Sequence, residues 1–285
     1  MTDIRSAKKN SRTGIARALA TILAAAALAA CGAQGGGDAA AEGNVLKVGA
    51  TPVPHAEVLE HVKPLLAQQG IELQVVTFTD YVQPNLALDA GELDANYFQT
   101  VPYLDSFNAE RRTELASVAN VHVEPMGLYS RKLKALAALP NGATIALPND
   151  PTNTGRALLL LQAAGLLKLR PDAGIDATVL DVAENPRGLR FRELDSAQLP
   201  RSLPDVDAAV INTNFALEAG LNPARDALTI EAPDSPYANV LAVQAARSSD
   251  PRIQALAAAL TSPEIAQFIR DRYQGAVVPT GGKTE

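Results

Sequence analysis

Short apolar strands alternate with amphipathic helices along about 240 residues, and this alternation constrains the fold more than any other feature. Val45-Leu46-Lys47-Val48-Gly49-Ala50 reads as a strand that runs into a Gly/Pro loop. A helix from about Ala56 to Gln69 follows, with Val58, Leu59, Val62, Leu65 and Leu66 on one face and Gly70 as its stop. Leu73 to Phe78 is the next strand. Strand, helix, strand at this spacing is a βαβ unit, which calls for parallel strands covered by helices. The pattern returns downstream. A strand at Ala143 to Leu147 leads through the loop Pro148 to Arg156 into a Leu-rich helix, Ala157 to Leu166. Further strands are expected at Thr178–Val182, Ala208–Ile211 and Val240–Ala245, and two helices near Pro251–Thr261 and Pro263–Arg272 close the chain.

Two such clusters imply an α/β protein of two lobes, each a mostly parallel sheet flanked by helices. The crossovers are expected near Val121–Leu128 and Ser235–Val240. Lobe 1 is then discontinuous, residues 45–125 plus 238–285, and lobe 2 takes residues 126–237. Parallel α/β sheets bind ligands beyond the carboxyl ends of their strands, which places a ligand in the cleft between the lobes.

The N-terminus speaks about compartment. Arg5, Lys8, Lys9, Arg12 and Arg17 precede an apolar run whose clean part, Ile22 to Ala30, is too short to span a bilayer. It ends at Leu28-Ala29-Ala30-Cys31, with small residues before the cut. Residues 1–30 read as a lipoprotein signal peptide, Cys31 as the acylated (palmitate-bearing) N-terminus, and residues 31–44 as a Gly/Ala tether. The domain is thus expected in the cell envelope, held to a bacterial membrane by lipid and facing the periplasm or the exterior. Cys31 is the only cysteine, so no intramolecular disulfide forms and the core alone holds the fold. Beyond residue 30 the chain has 20 basic against 30 acidic residues, a net charge of −10, which argues against nucleic acid as a partner.

Three groups of residues could hold a ligand. Six of the twelve aromatic residues fall between Phe78 and Phe107. Phe78 and Phe107 suit a core. Tyr81, Phe98 and Tyr103 lie among polar loop residues, where rings line a slot for a flat or soft apolar group as readily as they fill a core. The loop Pro148 to Arg156 enters a helix N-terminus, a natural anion site, and Arg156 is expected in its first turn, opposed to the helix dipole. A guanidinium there offers a carboxylate two hydrogen bonds, although a capped helix with a solvated Arg fits the same residues. Asn212 and Asn239 lie at the edges of expected strands, where turn residues and ligand-binding amides look alike.

Catalytic constellations are poor. His55, His61 and His122 show no metal-ligand spacing, no Gly-x-Ser-x-Gly elbow is present, and Cys31 is committed to lipid. No enzyme activity, metal or cofactor is therefore expected. An exported hydrolase or a structural surface lipoprotein is the rival class.

Several segments are familiar together: Val48-Gly-Ala-Thr-Pro-Val-Pro-His55, Asp94-Ala-Asn-Tyr-Phe-Gln99 with Pro102-Tyr-Leu-Asp105, Pro148-Asn-Asp-Pro-Thr-Asn153 with Gly155-Arg156, Gln198-Leu-Pro-Arg-Ser202 and Val210-Ile-Asn-Thr213. In order, from about Val45 to Thr280, the chain resembles the methionine-binding lipoproteins, or NLPA lipoproteins, substrate-binding subunits of a methionine ABC importer. The resemblance implies a monomeric, two-lobed periplasmic-binding-protein fold (type II-like) that carries methionine to a membrane permease. It implies that Arg156 clamps the α-carboxylate, that Asn212 and Asn239 hold the backbone groups, and that Tyr81, Phe98 and Tyr103 surround the thioether. Many members carry His where this chain has Thr100, a position that touches the end of the ligand side chain. L-methionine, D-methionine, its sulfoxide, a methionyl peptide and another small apolar amino acid all fit at this level.

Overall fold

The computed structural model describes residues 44–232 and 236–281. The signal peptide, Cys31 and nearly all of the tether lie outside the described residues. The strands, in chain order, are β1 (Val45–Ala50), β2 (Glu72–Thr77), β3 (Ala95–Thr100), β4 (Leu115–Val123), β5 (Gly127–Tyr129), β6 (Thr144–Pro148) and β7 (Lys168–Leu169). Then follow β8 (Val182–Glu184), β9 (Arg190–Leu194), β10 (Ala208–Ile211), β11 (Ala227–Ile230), β12 (Ala238–Gln244) and β13 (Val278–Pro279). The longer helices are α1 (Glu57–Ala67), α2 (Gln83–Asp89), α3 (Val101–Arg111), α4 (Pro151–Ala163), α5 (Thr213–Glu218), α6 (Pro251–Leu260) and α7 (Pro263–Tyr273).

Two sheets result, and each has its own cores. The first runs β13-β4-β12-β3-β1-β2 and the second β11-β5-β10-β6-β9, with β7 and β8 paired apart. The chain leaves the first sheet after Val123, enters the second at Gly127, and returns to the first at Ala238. On one face of the first sheet, α1, α6 and α7 bury Leu59, Val62, Ile253, Leu256, Ile265 and Ile269 against Leu46, Val48 and Leu241. On the other, Leu88, Leu104 and Phe107 pack with Val240 and Ala242, and Phe78 lies against this cluster as a core residue should. In the second sheet Leu158 and Leu161 of α4 meet Ile145, Leu147 and Met126. Leu199, Leu203 and Phe215 cover its opposite face against Ala209 and Ile211. Each fully buried side chain of this size contributes about 1.5–3 kcal/mol relative to exposure.

The sheets are mixed, where mostly parallel ones were expected. β1 and β3 are parallel, as are β6 with β10 and β6 with β9. But β12 runs antiparallel to both β3 and β4, and β5 antiparallel to both β10 and β11. The reason is the double crossover: β4, β5, β11 and β12 are joined by excursions between sheets, so no βαβ unit fixes their direction.

Two local expectations also fail. Thr178–Val182 is not a strand. Thr178 starts a single helical turn, Val179–Asp181, in which its N–H and hydroxyl both donate to the Asp181 carboxylate at 2.8 Å. Such a capping box outcompetes a strand of five residues. The Leu-rich helix begins six residues earlier than expected, because Asp150 caps it and Pro151 occupies its first position. Arg156 consequently lies in the second turn. Gly155 is required beside it: a Cβ there would stand 2.0 Å from the Ile175 carbonyl oxygen. Among the described residues, no helix is long and apolar enough to cross a membrane.

Candidate ligand-binding site

All seven residues singled out from the sequence, Tyr81, Phe98, Thr100, Tyr103, Arg156, Asn212 and Asn239, line one cavity of about 20 Å³. It sits at the carboxyl ends of β1, β3, β6 and β10, as parallel α/β topology requires. The antiparallel strands contribute at the same level. Asn239, second residue of β12, pairs with Thr100 on one side and His122 on the other, so three side chains from three strands form one rung. Thr100 ends β3 and precedes α3 without its hydroxyl capping that helix.

One end of the cavity is aromatic. Tyr81 packs against Phe98 at 5.8 Å, Tyr103 at 5.7 Å and Phe215 at 4.9 Å between ring centroids. These are the separations at which aromatic pairs gain beyond their buried area. Phe215, on α5, is a fourth ring that went unnoticed in the sequence. The hydroxyls are used rather than buried bare: Tyr103 donates to the Tyr81 carbonyl at 3.1 Å and Tyr81 to Asn214 Oδ1 at 2.6 Å. Burial first, then the Glu124 charge, pushes the Tyr81 phenol up, so it stays a neutral donor.

The other end is polar and nearly all buried. Asn212, immediately after β10, donates to Asn153 Oδ1 at 2.8 Å. Its own Oδ1 is buried with no partner among the described residues, and so is Nδ2 of Asn214. One wall thus presents an unpaired acceptor and an unpaired donor close in sequence, which buried polar groups seldom do without a purpose.

Arg156 is buried at 4% exposure but is not solvated and does not hold an open fork. Its Nη2 donates to Glu231 Oε2 at 2.5 Å and to the Glu124 carbonyl at 2.7 Å, and Nε donates to Glu231 Oε1 at 3.1 Å. Its guanidinium carbon stands 4.3 Å over the Tyr237 ring. The carboxylate in the Arg156 fork is therefore the protein's own, Glu231. Among the described residues nothing accepts from Nη1. The helix N-terminus is closed as an anion site too: the Asp150 side chain accepts from the Asn153 N–H at 2.9 Å. Burial pushes the Asp150 carboxyl up despite that bond.

The residues the sequence reading missed are His55, His122 and Glu124. Both imidazole Nε2 atoms face the same carboxylate oxygen, Glu124 Oε1, at 3.1 Å for His55 and 2.7 Å for His122. Behind them, Thr51 Oγ1 lies 2.6 Å from His55 Nδ1, and the Tyr97 hydroxyl meets His122 Nδ1. His55 Nε2 is also 3.0 Å from Asn239 Oδ1, which ties the rung to the carboxylate. Burial alone raises the Glu124 carboxyl, but the two histidines outweigh it and hold it down at about 2. Burial pushes His122 below the ordinary imidazole range. The donor atoms of the three lie within 4.8 Å of one another, a cation-holding grouping that the linear spacing of the histidines conceals. A signal did exist: His122 and Glu124 are two apart at the end of a strand and so share a face.

Comparison with known proteins follows the same line. Residues 46–281 match the family model described as NlpA lipoprotein. The "Probable D-methionine-binding lipoprotein MetQ" of Vibrio cholerae is 44% identical over 266 residues, 92% of this chain and 97% of that protein. The "D-methionine-binding lipoprotein MetQ" of Escherichia coli is 39% identical over 264 residues, 92% of this chain and 96% of its own length. A nutrient binding protein from Burkholderia cenocepacia, solved bound to methionine, superimposes with a TM-score of 0.80 at 49% identity, covering 82% of this chain and 99% of that one. With a family match over most of its length and relatives of this identity, the chain belongs to the NlpA lipoprotein family.

Proposed function

We propose that this protein is a lipid-anchored substrate-binding protein that captures methionine, or a close derivative, and delivers it to an ABC importer. The observation that carries the reading is a single cavity with an aromatic end and a buried polar end whose Asn212 and Asn214 groups have no partner among the described residues. The names of the Vibrio and Escherichia relatives and the methionine bound by the Burkholderia protein support methionine as the ligand. Tyr81, Phe98 and Tyr103 take the thioether, since sulfur packs well on ring edges. Arg156, through Nη1, and the asparagines take the polar groups. A cavity of about 20 Å³ holds one water. Residues 45–125 plus 238–285 and residues 126–237 therefore move as lobes that part to admit the ligand and close over it. No step makes or breaks a covalent bond. Cys31 carries the lipid, and the tether keeps the domain near its permease, raising effective concentration.

Thermal unfolding of the full chain with amino acids tests this. L- or D-methionine must raise the melting temperature with the logarithm of its concentration, by about 2.7 kcal/mol of stabilisation at a hundredfold excess over the dissociation constant. No shift with either enantiomer or the sulfoxide removes the reading. Because Thr100 stands where many relatives have His, leucine and norleucine belong in the same screen; a larger shift with either names another apolar amino acid as the ligand.

A further inference from the structure

We propose that Glu124 is the counter-ion of the ligand's α-ammonium, so that the site selects molecules whose amine is free and protonated. The inference rests on the reading above that the ligand is a methionine-like amino acid, and it adds the group that tells an amino acid from its uncharged or acylated relatives.

Four observations carry it. Glu124 lines the cavity yet is 5% exposed, so its carboxylate is committed to the site and not to solvent. Only one of its oxygens is used: both histidines converge on Oε1, and among the described residues nothing donates to Oε2. Its position is set from behind by a buried chain, Thr51 to His55 and Tyr97 to His122, which orients the carboxylate without covering its free oxygen. Finally, its charge is not cancelled by the one guanidinium in the cavity. Arg156 already holds Glu231, and its bond to residue 124 goes to the backbone carbonyl. The two histidines meet the carboxylate at Oε1 alone, His122 Nε2 at 2.7 Å and His55 Nε2 at 3.1 Å, and leave Oε2 open.

A buried carboxylate with one open oxygen is costly unless a cation meets it. An ammonium has three N–H donors. Glu124 Oε2 supplies one acceptor, and the Oδ1 of Asn212, which follows a strand of the second sheet, lines the same cavity and supplies a second. The first sheet and the second then each hold the amine, so the same group that recognises the ligand also draws the walls together. A carboxylate meeting Arg156 Nη1 and an amine meeting Glu124 describe one free amino acid with both ends inside. Methionyl peptides, whose carboxylate lies a residue or more away, fit this poorly.

Calorimetric titration of the full chain with methionine, its α-hydroxy analogue (2-hydroxy-4-methylthiobutanoate) and N-acetylmethionine tests the proposal. The wild type is expected to bind methionine at least about 30-fold more tightly than the other two, the scale of a charge-assisted hydrogen bond. In Glu124→Gln, methionine affinity falls by a similar factor while the hydroxy analogue changes less than about 3-fold, so the discrimination collapses. Equal losses for both ligands would show that Glu124 only props up the site, and overturn the proposal. So would wild-type binding of the hydroxy analogue as tight as that of methionine, a result that needs no variant and stands if Glu124→Gln does not fold. If the wild type binds none of the three, the functional reading above fails with it; if it binds methionine without discrimination, only this inference fails.

Discussion

Arg156 and Glu124 are opposite charges buried in the same cavity, and the protein holds them in opposite ways. Arg156 has its counter-ion built in: Glu231 takes two of its nitrogens, the Glu124 carbonyl shares one, and the Tyr237 ring lies beneath. Glu124 is held by imidazoles that orient it and leave one oxygen open. The first is a finished structural pair with one free corner; the second is an unfinished pair. An arginine in a pocket is ordinarily taken as the ligand clamp, but here its fork is filled and the open ionic partner is the carboxylate. The pair Arg156–Glu231 also spans the two crossovers, since Glu124 and Glu231 flank the outward and return passages between sheets.

The largest effect expected from this contrast is on stability. Arg156→Met strands the Glu231 carboxylate and the Glu124 carbonyl, and breaking one side of a buried pair costs about 3–5 kcal/mol. Glu124→Gln keeps an acceptor for both histidines, so it is expected to cost less, about 1–3 kcal/mol. Urea unfolding of the two variants separates them. Equal losses would mean that Glu124 is as fully paired as Arg156, and the contrast would be gone.

Much of this site was legible before the fold was known, and the boundary of legibility has physical causes. Residues announced by local pattern line the cavity: Thr100 ends a strand, Asn212 follows one, and Tyr81, Phe98 and Tyr103 cluster within one stretch of sequence. Groups that act through long-range pairing were not. Glu231 is 75 residues from Arg156, and His55 is 69 residues from Glu124, so no window of sequence contains either pair. The rung Thr100–Asn239–His122 depends on two antiparallel registers that a βαβ reading excludes. Misplacing Arg156 in the first turn had a smaller cause: Asp150, Thr152, Asn153 and Thr154 all look like caps, and the structure uses the first of them, Asp150.

A middle-sized effect probes how Arg156 is aimed. Gly155→Ala places a methyl group against the Ile175 carbonyl oxygen, and backbone cannot retreat as a side chain can. Overpacking of this kind costs about 1–3 kcal/mol. Because the neighbouring residue is Arg156, α4 must shift and pull the guanidinium from Glu231. Gly155→Ala is therefore expected to weaken methionine binding as well as lower the melting temperature, and a variant that melts early yet binds normally would show that Nη1 needs no such exact aim.

The smallest effect is on acid stability, and it belongs to the Glu124 side alone. His122 has a folded-state pKa below its unfolded one, so between the two values the unfolded chain binds the extra proton. Stability then rises with pH through that window and is lost as pH falls below about 6.5, by at most about 1.4 kcal/mol per pH unit. Glu124 adds a second, lower limb with the same sign. Its carboxyl sits at about 2 against an ordinary 4.5, so its contribution is whole above 4.5 and fades as pH falls through 2. Unfolding free energy measured from pH 7.5 to pH 5 should decline in the wild type and stay nearly level in His122→Asn, whose side chain does not titrate. A decline of equal slope in both would place the acid sensitivity outside the histidine–carboxylate cluster.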